Sequence, residues 1–226
     1  MANTLDWRVS VDFLDLLNEV QRRRLLEGAR RINQQAGIVR DYPTDAVTAD
    51  LIEVGLVRIY QVSEDGRQAT IGYLHAGEYL GALPALAPRP IVFAQHLTNA
   101  ALLRLDPNNV QRLFEGDVAF ARALAIHTAS MLARVVRVVT VRTLGTIRER
   151  LAFDLLERAS LEQLRSGRFE FAVTQEELAD AIGSVREVVN GQLADLRKTG
   201  VVATSRGRIR VDDVERLAAI MRRIVT

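Results

Sequence analysis

The sequence predicts an α+β fold in three parts: an N-terminal roll of short strands flanked by helices, one long helix, and a C-terminal helical unit closed by a hairpin. Three observations carry this. Apolar residues alternate from about Ile38 to Asp106, recur at three- and four-residue intervals from about Val118 to Leu144, and return to helical spacing with capping signals after Thr146. The boundaries are 1–117, 118–145 and 146–226.

Residues 10–32 read as two short helices, with Asn18 and Gln21 starting the second. The triplet Arg22-Arg23-Arg24 reads as a solvated helix face. Strands then follow over 49–54, 56–62 and 68–74, the last two joined through Asp65-Gly66, a hairpin turn signal. Residues 75–81 make a further turn and short strand, and 91–106 supply two more strands joined near Leu97-Thr98-Asn99. Many short antiparallel strands at this spacing imply a β-roll or barrel-like sandwich.

Asp106-Pro107-Asn108 starts a short helix to about Glu115, which Gly116 ends. The long helix over 118–144 places Leu124, Thr128, Met131, Val135, Val138 and Arg142 in one coiled-coil-like seam. Its segment VVRVVTV is more apolar than packing on one side requires, so the helix needs a partner, and its own copy in a symmetric dimer is the economical one. Gly145 breaks it, and Thr146 with Glu149 forms a capping box that opens a helix over 147–162.

The stretch 173–198, VTQEELADAIGSVREVVNGQLADLRK, holds two further capping-box pairs, Thr174 with Glu177 and Ser184 with Glu187. A helix over 175–182 turns inward Leu178, Ala179 and Ile182. After Gly183 a second helix over 185–198 buries Val185, Val189, Leu193 and Leu196 and turns outward Arg186, Glu187, Asn190 and Gly191. The same pattern fits an ordinary helical hairpin with a solvated face. The next residues add two short strands, 201–204 and 208–211, around Ser205-Arg206-Gly207. Arg197, Lys198, Arg206, Arg208 and Arg210 are accompanied by no acidic residue in that span. A cationic hairpin beside such a helix is a winged helix-turn-helix, suited to base edges in a major groove and to phosphates. Asp212 with Glu215 starts a last helix ending near Ile224.

The composition, 226 residues with 26% charged and 48% hydrophobic, is that of a soluble globular protein. No apolar run approaches the roughly 18 residues that span a bilayer, and the N-terminus lacks a signal-peptide profile, so a cytoplasmic location is expected, with no membrane partner. Absence of cysteine excludes disulfides, thiolate metal sites and cysteine nucleophiles. Net charge is only +2, and from Thr146 onward fourteen basic residues face thirteen acidic ones. Any field for nucleic acid must therefore come from local clustering. Phosphate-cradling glycine loops, metal-ligand clusters and nucleophile motifs are lacking, so an enzyme is not expected.

The whole chain resembles the Crp/Fnr family of bacterial transcription regulators. The resemblance rests on Gly55-Leu56-Val57-Arg58-Ile59-Tyr60, Glu64-Asp65-Gly66-Arg67, Gly77-Glu78-Tyr79-Leu80-Gly81, Thr174-Gln175-Glu176-Glu177-Leu178-Ala179 and Val185-Arg186-Glu187-Val188-Val189. It implies a cyclic-nucleotide-binding-like roll, a dimerisation helix, and a homodimer that binds a pseudo-palindromic site on double-stranded DNA and contacts RNA polymerase, as an activator. Base readout falls to Arg186 and Glu187, with Asn190 in reserve because the family's second arginine is Gly191 here. Phosphate contacts fall to Thr174, Ser184, Lys198, Ser205, Arg206 and Arg208.

The effector positions implied by the resemblance are Gly81, Ala82, Arg89, Val135 and Val136. Cyclic-nucleotide-binding members carry Glu after the glycine and an Arg-Ser or Arg-Thr pair further on. This chain has Ala82 and Pro90-Ile91, and valines where the purine-contacting polar pair falls, so cyclic AMP or GMP is disfavoured. Haem is a further candidate through His75, His96 or His127, and no cofactor is identified. The competing function is an effector sensor or partner-binding module with weak or no specific DNA binding, including a haem-based gas sensor.

Overall fold

The computed structural model describes residues 12–42, 49–81 and 92–221. Their contacts form two units, one of residues 12–42, 49–60, 72–81 and 92–134, the other of residues 61–71 and 135–221.

In the first unit a 3-10 turn, Leu14–Leu16, precedes helix α1, Glu19–Leu26. Asn18 caps α1 as predicted: its Oδ1 accepts from Gln21 N at 2.9 Å, and its own N donates to Gln21 Oε1 at 3.0 Å. The helical reading fails beyond Leu26, because Arg30–Gln34 is strand β1. Gly28, at φ 71°, turns the chain, and β1 pairs antiparallel with a strand seventy residues later, a tertiary pairing that overrides weak local periodicity.

The remaining strands are β2 Val39–Tyr42, β3 Ala49–Val54, β4 Leu56–Val62, β5 Gln68–His75, β6 Tyr79–Gly81, β7 Val92–His96 and β8 Ala100–Arg104. They form two four-stranded sheets, ordered β1-β8-β3-β6 and β2-β7-β4-β5, which is the predicted roll. Gly55 makes the β3–β4 corner possible: at φ 120°, a Cβ there would lie 2.6 Å from that of Ala100. The core of this unit joins Phe13, Leu51, Leu105 and Val110 to Phe120, Ala123 and Leu124. Helix α2, Pro107–Gly116, starts where Asp106 Oδ1 accepts from Asn108 N at 2.9 Å.

Helix α3 spans Val118–Leu144, the predicted length. The predicted seam is only partly open: Leu124 and Val138 are buried within the chain and Met131 packs on the roll's core, while Thr128 is exposed and Val135 and Arg142 are half-buried. Apart from Val118 and Leu144 at its ends, the large apolar residues that α3 leaves to solvent are Ile126, Leu132 (61% exposed), Val136 (56%) and Val139. A second correction concerns apolar length: by length and composition alone, α3 is long and apolar enough to cross a membrane. Its buried residues nevertheless belong to the protein's own cores, Phe120 and Leu124 to the first, Val138 and Val141 to the second.

In the second unit α4, Ile147–Ser166, starts with the predicted box: Thr146 N donates to Glu149 Oε2 at 2.8 Å, and Thr146 Oγ1 accepts from Glu149 N at 3.4 Å. Then come β9 Glu170–Ala172, α5 Gln175–Ile182, α6 Arg186–Lys198, β10 Val202–Ser205, β11 Arg208–Val211 and α7 Val214–Met221. Strand β9 is absent from the sequence reading. It pairs with β11 and makes the expected two-stranded wing a three-stranded sheet, β10-β11-β9. Asp213, not Asp212, caps α7, with its Oδ1 accepting from Arg216 N at 2.9 Å. Asp212 is instead held by Arg210 at 2.6 Å. The expected end near Ile224 lies outside the described residues.

Candidate nucleic-acid interface

Helices α5 and α6 are set by one apolar core. Leu178, Ala179, Ala181 and Ile182 of α5 and Val189, Leu193 and Leu196 of α6 are buried with Leu151, Leu155 and Leu156 of α4. Gly183, left-handed at φ 66°, ends α5, and Ser184 N donates to Ala179 O at 2.9 Å. That closure commits Ser184 to the end of α5, so the predicted Ser184–Glu187 box does not form. Val185, extended and with no side-chain cap, is the N-cap of α6. Expected in the buried stripe, Val185 is instead 58% exposed, because it precedes the helix and so does not belong to its inner face.

With three buried residues fixing its rotation, α6 turns outward Arg186, Glu187, Asn190 and Gly191, all exposed as predicted. Arg186 and Asn190 are tied across to α5. Gln175 Nε2 donates to Asn190 Oδ1 at 3.2 Å, and Arg186 Nε donates to Gln175 Oε1 at 3.5 Å. Thr174 caps α5: its N donates to Glu177 Oε2 at 2.7 Å, and its Oγ1 accepts from Glu177 N at 3.1 Å. An open groove of about 390 Å³ runs between these helices and the wing, lined among others by Thr174, Gln175, Arg186, Ser205 and Arg208.

The structure thus gathers Thr174, Arg186, Ser205 and Arg208 at one groove. Ser184 is half-buried in the α5–α6 turn. Lys198 ends α6, roughly 18 Å along the axis from Arg186 at 1.5 Å per residue. It lies 3.6 Å from Asp195. The wing carries less free charge than the local sequence suggests. Arg208 Nε donates to Glu170 Oε1 at 2.8 Å, and Arg210 is held firmly protonated by Asp212. Arg197 donates to Thr204 Oγ1 at 3.1 Å. Among the described residues Arg206, exposed at the tip, has no ion pair. Gln175 and Glu170 were missed at the sequence level: Gln175 reads only as a helix opener, and Glu170 stands thirty-eight residues before the arginine it engages.

Of the effector positions, Gly81 ends β6 at φ 89°, Val135 is half-buried and Val136 is exposed, while Ala82 and Arg89 lie outside the described residues. Within the roll Asp50, fully buried, takes both Arg104 Nε and Nη2 at 2.8 Å and the Tyr42 hydroxyl at 2.7 Å. Burial first and the Asp50 carboxylate second push the Tyr42 phenol far up. His75 Nδ1 lies 2.8 Å from Ala76 O, and His127 is packed against the rings of Phe13 and Tyr79. His96 is fully buried with neither ring nitrogen hydrogen-bonded, and burial, then Arg40, pushes its pKa down against the opposing pull of Asp50. Among the described residues no group of three His, Cys, Asp or Glu side chains could hold a metal ion.

Sequence profiles for a cyclic nucleotide-binding domain and a Crp-like helix-turn-helix domain match residues 45–117 and 149–220. The transcriptional regulator LdrP of Thermus thermophilus is 33% identical over 177 residues, covering 76% of this chain and 87% of its own. The crystal structure of a CRP/FNR-family transcriptional regulator, also from Thermus thermophilus, superposes with a TM-score of 0.70 at 27% identity, covering 85% of this chain and 98% of that one. A crp/fnr-family regulator from Eubacterium rectale shares the fold with a TM-score of 0.73 at 22% identity, covering 94% and 99%.

Proposed function

The chain belongs to the Crp/Fnr family of transcriptional regulators, with a DNA-binding helix-turn-helix and a cyclic-nucleotide-binding-type domain, and we propose that it works as a sequence-specific homodimer in the cytoplasm. The observation that carries the reading is the outward face of α6: Arg186, Glu187 and Asn190 are exposed while Val189, Leu193 and Leu196 anchor the helix behind them. Arg186 can donate twice to guanine O6 and N7, and Glu187 can accept from cytosine N4, each good contact being worth about 1–3 kcal/mol of discrimination. Thr174, Ser205, Arg206 and Arg208 add backbone contacts that set register without reading sequence.

The partner copy is supported by the exposed stripe Leu132, Val136 and Val139, which a second α3 would cover. Two recognition helices about 34 Å apart then enter successive major grooves of a pseudo-palindromic site. RNA polymerase contact and activation complete the reading by family analogy.

The effector domain has lost the cyclic-nucleotide phosphate signature in this reading. Ala82 and Pro90-Ile91 replace the ribose- and phosphate-holding residues, and the Arg104 guanidinium is already engaged by Asp50. With the Arg104 fork committed to Asp50, an anionic nucleotide meets fewer charge-assisted donors.

Selection of bound duplexes from random-sequence DNA tests the central claim. The parent protein should enrich an inverted repeat, and Arg186→Ala should lose that selectivity. An Arg186→Ala protein as selective as the parent overturns it. A sensor or partner-binding module is the second reading, favoured by the carboxylates that hold Arg208 and Arg210. Binding to DNA with no dependence on salt would support it, since phosphate contacts release counterions.

A further inference from the structure

The amide of Gln175 stands at a junction that the helix-turn-helix pattern alone does not specify. It opens α5, half-buried, and reaches two side chains of α6 that lie eleven and fifteen residues later in the chain. Its Nε2 donates to Asn190 Oδ1 at 3.2 Å, and its Oε1 accepts from Arg186 Nε at 3.5 Å. No apolar packing explains the arrangement: Arg186 and Asn190 are exposed, and the buried contacts between these helices are made by Leu178, Ala179, Ile182 and Val189.

We propose that Gln175 is a positioning residue for base readout: it holds Arg186 and Asn190 in their DNA-reading orientations before DNA arrives. The proposal rests on the reading of Arg186 and Asn190 as base contacts. Its chemistry depends on which hydrogen-bonding groups the bridge consumes. Arg186 spends Nε on Gln175, which leaves the two terminal Nη groups, the pair that can meet guanine O6 and N7 end-on. Asn190 spends one lone pair of Oδ1, which leaves both Nδ2 hydrogens and the second lone pair to a base edge. An arginine otherwise free to sample many rotamers enters the groove with its fork already oriented, so less ordering cost falls on the binding step. One glutamine therefore serves two base-reading positions, Arg186 through its amide oxygen and Asn190 through its amide nitrogen.

Full-length parent, Gln175→Ala and Gln175→Glu proteins are each put through selection from random duplexes, then titrated against the parent's selected duplex and a scrambled one at several salt concentrations. Gln175→Ala is expected to weaken binding to the selected duplex by about two- to tenfold per side chain released, with scrambled-duplex affinity, salt slope and melting temperature unchanged. Gln175→Glu keeps an acceptor for Arg186 and loses the donor to Asn190, so preference should relax at the pair read by Asn190 and hold at the pair read by Arg186. A Gln175→Ala protein with the parent's selectivity overturns the proposal while leaving the base contacts standing, provided Arg186→Ala loses selectivity in the same assay. A uniform loss on both duplexes with a shallower salt slope also overturns it, since Gln175 would then be a phosphate contact. If the parent selects nothing, or Arg186→Ala changes nothing, the base-readout reading fails and the proposal falls with it.

Discussion

Glu170 Oε1 accepts from Arg208 Nε at 2.8 Å, so a carboxylate on β9 neutralises a cation on the wing strand that faces the groove. The pair is half-exposed and contributes little to stability. Its effect falls on DNA binding instead, because a phosphate must compete with Glu170 for the guanidinium. Glu170→Gln is expected to tighten binding and to steepen the dependence of log K on log salt by up to about one unit, the value of one further phosphate contact. Equal slopes for the two proteins in a salt titration count against this.

By the family resemblance Gly191 stands where a second arginine is expected, and a Cβ added there would meet nothing within 4 Å. Gly191→Arg should therefore fold, gain up to about 1 kcal/mol of helix propensity, and add a base contact one turn from Arg186. Selection from random duplexes should return a site with an additional constrained base pair in each half. An unchanged site would mean that position 191 does not face the groove.

Leu132 and Val136 are exposed by 61% and 56%, so a charge at either leaves the monomer's core intact. Leu132→Glu with Val136→Glu should sediment as a monomer with unchanged helicity, and should lose preference for an inverted repeat over a half-site. A double variant that still sediments as a dimer places the interface elsewhere.

His96 couples stability to pH. Its folded pKa lies below the unfolded value, so the unfolded chain binds the extra proton first. Stability is complete above the unfolded pKa of about 6.5 and declines as pH falls through it. The slope from one such group is at most about 1.4 kcal/mol per pH unit. Urea midpoints should fall between about pH 7 and 5 in the parent and less steeply in His96→Leu. Parallel curves for the two would exclude His96 as the cause. Asp65 and Asp117, held low by Ser63 and by Gln21 respectively, add their own losses only in the carboxylate range.

The elements most legible in the sequence were those specified by neighbours. The boxes Asn18–Gln21, Thr146–Glu149 and Thr174–Glu177 each lie within one helical turn and form as read. Ser184–Glu187 matches the same pattern and fails, because closure of the preceding helix claims Ser184 first. Strands β1 and β9 were missed for the opposite reason. Arg30–Gln34 is polar on most positions, and only its pairing with β8 makes it a strand. Glu170–Ala172 is three residues long and gains its hydrogen bonds from β11.

The sequence by itself determined the succession of strand roll, long helix and winged helix-turn-helix, the length of α3 and the outward set Arg186, Glu187 and Asn190, since spacing along a helix fixes which residues share a face. Only the tertiary structure decided which side of α3 was left uncovered, that Glu170 takes up Arg208 of the wing, and that Gln175 bridges Arg186 and Asn190. Those relationships join residues far apart in the chain or on different elements. Periodicity says which face a residue lies on but not which other element arrives to meet it.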